Sequence, residues 1–174
     1  MSRPYRLFTI PALVVILLDQ ISKAAVVRTM PVHKAYPVID GLFDLVHVRN
    51  RGMAFGLMNC PDSHLSAYLL MASTVVAILL LLFWFTRLTK EESGVVLGLS
   101  LVLGGALGNL IDRIRLGEVV DFLDFYVGHY HWPAFNVADM AITIGTLWLA
   151  LNMLFPRFTK ASGVEGSSPQ DRNT

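Results

Sequence analysis

"LVLGGALGNLIDR", residues 101–113, is apolar for eight residues and then turns polar at Asn109, Asp112 and Arg113. It closes an apolar run over 95–111, and three more such runs occupy 7–27, 65–85 and 137–155. Each meets or approaches the roughly 20 mostly apolar residues with which a helix crosses a bilayer. Composition agrees. Of 174 residues, 54% are hydrophobic and only 16% charged, whereas ordinary soluble domains carry roughly 25% charged residues. The sequence predicts an all-α membrane protein with a small β-element, built on four transmembrane helices as one domain over residues 1–158. The tail over 159–174 is polar and rich in Gly and Ser, which predicts disorder.

The first run follows Arg3 and Arg6, as the core of a secretory leader would. However, "LLDQISK" (17–23) puts an acid and a base into it, and no small-x-small cleavage site follows cleanly, so it reads as a retained span. A net charge of +1 argues against a nucleic-acid partner. The single cysteine, Cys60, excludes an internal disulfide and any Cys-rich metal site, and is expected to pack as a small hydrophobe.

Four spans with both termini on one side place the two long connections, 28–64 and 115–133, together on the other side. The first contains "FDLVHVRN" (43–50), whose local alternation, after the turn signal "DG" at 40–41, predicts a β-element on the membrane surface. "NRGMAFG" (50–56) then brings glycine where the chain bends back toward the bilayer. The second connection is an aromatic loop in which Tyr126, Tyr130 and Trp132 suit the membrane–water interface. Basic residues do not orient the chain by number. Arg3, Arg6, Arg87, Lys90, Arg157, Lys160 and Arg172 fall on the side of the termini, and Lys23, Arg28, Lys34, Arg49, Arg51, Arg113 and Arg115 on the other.

The polar residues of the spans gather at one end. Asp19 and Lys23 are four apart near the end of the first span and can pair. Asn109, Asp112 and Arg113 share one face near the end of the third, and Asn136 and Asp139 open the fourth. Gly104 and Gly108 form G-x-x-x-G directly before Asn109, a spacing that lets another helix backbone approach closely. Asp121 and Asp124 follow a turn at Gly117. Asp19, Asp112, Asp121, Asp124 and Asp139 are thus all candidates for one aqueous pocket, where paired carboxylates can act on water as base and acid. No H-E-x-x-H or G-x-S-x-G is present, and His129 and His131 suit an interfacial role better than metal ligation. No cofactor or metal site is expected. Ser22 and Lys23 are adjacent, so on a helix they point about 100° apart and make a poor Ser–Lys dyad. A transporter would place its acids near the midplane, often on paired repeats; here they gather at one face, and no repeat is visible.

In order along the chain, "LLDQISK", "VRNRGMAFG" (48–56), "LVLGGALGNLIDR", "GEVVDF" (117–122) and "PAFNVADMAITIG" (133–145) resemble the lipoprotein signal peptidases (signal peptidase II), a family of membrane aspartyl peptidases. The resemblance covers most of residues 10–155. It implies that Asp121 and Asp139 are the catalytic aspartates, and that Asp19, Asn50, Asn109, Arg113 and Asn136 are polar pocket residues. Lys23 and Asp112 are expected as a structural pairing. In "RNRG", Arg49 and Arg51 stand where a hydrophobic or aromatic residue and a small polar one are commoner. The implied substrate is a prolipoprotein, cut just before its diacylglyceryl-modified cysteine. Membrane lipids are implied partners, and a monomer is expected. The resemblance also implies a bacterial cytoplasmic (inner) membrane location, with both termini cytoplasmic and the site near the extracytoplasmic face.

Overall fold

The computed structural model describes residues 3–52, 64–88 and 92–155. The polar tail, Cys60 and most of "NRGMAFG" lie outside them. Helices α1 (Arg3–Thr29), α2 (His64–Arg87), α3 (Ser93–Leu116) and α4 (Val137–Leu154) form at the four apolar runs, and all four are long and apolar enough to cross a membrane. α1 and α3 extend further than the apolar runs suggest. Asp19 therefore sits about three turns before the end of α1, and Asn109 about two turns before the end of α3. α3 ends where Gly117 takes a left-handed φ of 73° and its N–H caps the Arg113 carbonyl.

α3 is the central helix, packed on α1, α2 and α4. Small residues permit this. A Cβ on Gly104 would stand 2.8 Å from the Ala12 carbonyl oxygen, and one on Gly108 would stand 2.6 Å from Asp19 Oδ2. Gly105 faces the Ala138 backbone in the same way. The G-x-x-x-G pair thus brings the α1 backbone and Asp19 against α3, as the sequence predicts. Phe8, Ala12, Leu99, Leu103, Ala106 and Leu149 fill the core between the helices.

Above the helices lies a four-stranded antiparallel sheet ordered β1 (Ala35–Ile39), β2 (Phe43–Asn50), β3 (Val119–Val127) and β4 (Tyr130–His131). β2 forms over the predicted stretch, after a turn in which Gly41 has φ 78°. The second connection contains more than an aromatic loop, because β3 and β4 are built from it and β3 pairs along β2. Its first four residues, Val119 to Phe122, are all buried. Burial on both faces removes the alternation by which a half-exposed strand is recognised. Val120 and Phe122 pack on Val26 and Met30 at the end of α1, which seats the sheet on the bundle.

Candidate active site

The site is assembled where β3 meets the start of α4. The Phe122 and Leu123 N–H groups donate to the Phe135 carbonyl, and the Phe135 N–H donates to Leu123 O at 3.0 Å. This short bridge delivers Asn136 beside Asp121. Asn136 then caps α4: its Oδ1 accepts from the Asp139 N–H at 3.0 Å, while Asp139 Oδ2 accepts from the Asn136 N–H at 3.3 Å. The reciprocal pair is a capping box. The N-x-x-D spacing in "FNVAD" signals this cap, a role of Asn136 and Asp139 that the pocket reading of the sequence passes over.

Both acids are held by amides. Asn136 Nδ2 donates to Asp121 Oδ1 at 2.7 Å, and Asn50 Nδ2 donates to Asp121 Oδ2 at 3.0 Å. Asn109 Nδ2 donates to Asp139 Oδ1 at 2.8 Å. Asn50 reaches Asp121 through the β2–β3 register. A bulge shifts the pairing between Leu45 and Val48, so that Val48 lies opposite Asp121 and Asn50 opposite Val119. The chain alternates faces, so Asn50 and Asp121 project to the same side. Asp121 is only 2% exposed. Burial, and then the negative charge of Asp139, push its carboxyl up to about 7, against the Asn50 and Asn136 hydrogen bonds and the Lys23 charge.

Behind the amides lies a buried ionic cluster. Lys23 Nζ meets Asp19 Oδ2 at 2.9 Å and Asp112 Oδ2 at 2.8 Å, and donates to Asn109 Oδ1 at 2.9 Å. The Lys23 ammonium thus pairs with both Asp19 and Asp112. Asp19 extends the cluster to α4, where its Oδ1 accepts from the Ala138 N–H at 2.9 Å. Asp112 extends it to β3 through the Val120 N–H at 3.3 Å. Gln20 Nε2 donates to Asp112 Oδ1 at 2.9 Å and to the Gly108 carbonyl at 3.2 Å. Nothing in "LLDQISK" by itself signals this role of Gln20, because its partners lie on another helix. Ser22 Oγ donates to the Asp19 carbonyl at 2.9 Å, away from Lys23 Nζ, so no Ser–Lys dyad forms.

A cavity of about 1030 Å³ opens beside the two acids. Asn50, Asn109, Arg113, Asp121 and Asp139 line its polar part, and Met140, Ile142 and Ile144 of α4 extend it as an apolar wall. Arg113 lines the cavity and, among the described residues, donates to the Asn109 carbonyl at 3.5 Å. Asp124 stands at the rim and pairs with His131 Nδ1 at 2.9 Å, apart from the amides that hold Asp121 and Asp139. Arg49 and Arg51 both pair with Glu118, at 3.6 and 3.1 Å, and Arg49 Nε also donates to buried His47. Among the described residues, no cluster of His, Cys, Asp and Glu has the geometry to hold a metal. The arrangement supplies two carboxyls, fixed amides and one guanidinium around a single opening. That is the equipment for activating water against a carbonyl.

Known proteins resemble this chain over most of its length. The family described as signal peptidase (SPase) II matches residues 11–155. The lipoprotein signal peptidase of Syntrophus aciditrophicus is 46% identical over 154 residues, covering 88% of this chain and 96% of that protein. The lipoprotein signal peptidase of Nitratidesulfovibrio vulgaris is 51% identical over 145 residues, covering 83% and 87%. A bacterial membrane enzyme structure obtained by the in meso method at 2.3 Å resolution superposes with a TM-score of 0.74 at 29% identity, covering 90% of this chain and 92% of that one. The chain belongs to the signal peptidase II family of membrane proteases.

Proposed function

We propose that this protein is an aspartyl endopeptidase that removes the signal peptide from prolipoproteins, cutting before the diacylglyceryl-modified cysteine, with Asp121 and Asp139 as its dyad. The observation that carries the reading is the pair itself: buried Asp121 and half-buried Asp139, from different elements, each held by asparagine side-chain amides, beside one cavity. Burial and the Asp139 charge push Asp121 up to about 7, which favours one shared proton on the pair near neutrality. Asp139 sits in the first turn of α4, whose N-terminus suits the anion. In the reaction, Asp139 takes a proton from water as its oxygen attacks the scissile carbonyl. Asp121 gives its proton to the carbonyl oxygen, and the tetrahedral intermediate forms. Collapse returns a proton to Asp121 from the hydroxyl and delivers one from Asp139 to the leaving nitrogen. Arg113 and the amide groups at the cavity supply donors to the substrate backbone and the developing oxyanion.

The same reading gives the apolar α4 wall to the acyl chains and the polar end to the peptide bond. All residues of the dyad and its partners come from one chain, so one copy suffices, and residues 1–158 form the peptidase domain. The site faces the extracytoplasmic side, with both termini in the cytoplasm. Support comes from the basic residues on the site side. Lys23 is spent on Asp19 and Asp112, Arg49 and Arg51 on Glu118, and Arg113 on the pocket. The tie in their number then breaks toward a cytoplasmic side holding the termini.

Incubation of the purified protein with a lipidated precursor peptide in detergent micelles tests the reading. Wild type shortens the peptide at the lipid-modified cysteine. Asp121→Asn and Asp139→Asn, folded by thermal melting, each lose cleavage, because a nearly isosteric amide cannot exchange the proton. One tenth of wild-type activity in either variant removes that residue from the dyad.

A further inference from the structure

Lys23 is buried to 3% exposure and lies one residue removed from the acid chemistry, joined to it through Asn109. Its ammonium has three protons and meets three oxygens, those of Asp19, Asp112 and Asn109, at 2.9, 2.8 and 2.9 Å. An ammonium donates and never accepts. The Asn109 side-chain oxygen must therefore face Lys23, and the Asn109 NH₂ must face Asp139. An asparagine amide alone has no such preference, since its two ends differ little in shape. Asn136 Nδ2, at 3.3 Å from the same Asn109 oxygen, adds a weaker vote for the same orientation.

We propose that Lys23 is a positioning residue for the dyad: its ammonium locks the Asn109 amide with the NH₂ on Asp139, and its charge sets the pH range in which the dyad carries one proton. This rests on Asp121 and Asp139 being the catalytic pair. The charged groups around the ammonium are Asp19 on α1, Asp112 and Arg113 on α3, Asp121 on β3 and Asp139 on α4. Asp19 and Asp112 are both within contact of Lys23, so the three together carry a formal charge of −1. Without the lysine that becomes −2, next to two acids that must share one proton. A nearby positive charge favours ionised carboxylates, and Lys23 acts on Asp121 in that sense, against the larger upward push of burial and the Asp139 charge. Removing Lys23 makes the dyad harder to ionise, and both limbs of a bell-shaped rate profile move to higher pH.

The test is Lys23→Met, with Lys23→Met/Asp112→Asn as a second variant that removes the base together with one acid. Rates are measured on the lipidated precursor peptide in micelles across pH, with folding followed by thermal melting. Lys23→Met is expected to lower kcat by up to about 100-fold, as a displaced catalytic group does, with KM little changed, and to move the profile up by roughly one pH unit. The double variant removes equal and opposite charge. It should keep the loss of kcat, because the Asn109 oxygen still lacks its ammonium, while its profile returns toward wild type. If Lys23→Met fails to fold, the double variant carries the test, and a wild-type kcat in it overturns the proposal. A folded Lys23→Met with reduced thermal stability but wild-type kcat and profile also overturns it, since that is purely structural behaviour. These outcomes are separate from failure of the dyad itself, which shows as activity in Asp121→Asn or Asp139→Asn.

Discussion

Asp121 is held in a place that suits its chemistry and costs the fold. Its carboxyl is pushed up to about 7 in the folded protein, mainly by burial, while in an unfolded chain it ionises near its usual value of about 3.9. Between those values the unfolded state has lost the proton and the folded state has kept it. Stability from this residue is therefore fully present below about pH 4 and is lost as pH rises through about 7, by a few kcal/mol at most. The melting temperature of Asp121→Asn relative to wild type is expected to climb from pH 4 to pH 8 in detergent; a constant difference would show that the acid is not perturbed. Arg113 gives a second residue-scale prediction. Its guanidinium lines the cavity and, among the described residues, makes one long bond, at 3.5 Å, to the Asn109 carbonyl. Arg113→Lys keeps the charge but loses the planar fork, so turnover should fall about tenfold or more with insertion unchanged. Full activity in Arg113→Lys would reduce the residue to a charge at the membrane surface. Much of the site is legible at this scale, because Asp19, Asn109, Asp112, Asn136 and Asp139 stand at helical spacings near one end of apolar runs. Their partners across elements are not. Nothing in "LLDQISK" says that Asp19 accepts from the Ala138 N–H, since that contact exists only once α1, α3 and α4 are packed.

At the scale of elements, α3 decides how closely the polar ends converge, and glycine decides how closely α3 packs. Gly104 faces the α1 backbone, with a Cβ position 2.8 Å from the Ala12 carbonyl oxygen, which cannot swing aside as a side chain can. Gly108 faces Asp19, whose two oxygens are pinned by Lys23, Gln20 and the Ala138 N–H. Alanine at either position should destabilise the protein by about 1–3 kcal/mol through overpacking. Gly108→Ala should in addition lower turnover, because displacing Asp19 disturbs Lys23 and so Asn109. Melting and rate measurements on both variants separate the effects, and equal turnover in the two would detach Asp19 from the site. The helices and β2 are legible because their patterns are regular: uncharged runs of about twenty residues in one case, local alternation after a turn in the other. β3 is hidden. "VVDFLDFYV" begins buried on both faces and continues into aromatic residues, so it reads equally as an interfacial loop. The β2–β3 bulge is hidden too, for it is a relation between two strands and neither strand declares it alone.

For the whole molecule, the fold turns a tied count of basic residues into a physical argument for which way the chain lies in the bilayer. Seven basic residues fall on each side of the membrane by sequence. On the site side, Lys23 is buried between two aspartates, Arg113 lines the cavity, and Arg49 and Arg51 share Glu118. Those four are accounted for by the fold and the site, which leaves Arg28, Lys34 and Arg115 as the bases there to be weighed against seven on the other side. Topology follows basic residues near the span ends, so the heavier side should stay in the cytoplasm. Tyr130 on β4 is 87% exposed and Arg51, just after β2, is also exposed, whereas Tyr5 near the start of α1 is exposed at the opposite end of the bundle. In a Cys60→Ser background, single substitutions Tyr130→Cys and Arg51→Cys should react with a membrane-impermeant maleimide on intact spheroplasts. Tyr5→Cys should react only after the membrane is permeabilised. The reverse pattern would put the dyad on the cytoplasmic side. A precursor whose lipid-modified cysteine lies at the outer surface would then never reach the proposed dyad of Asp121 and Asp139.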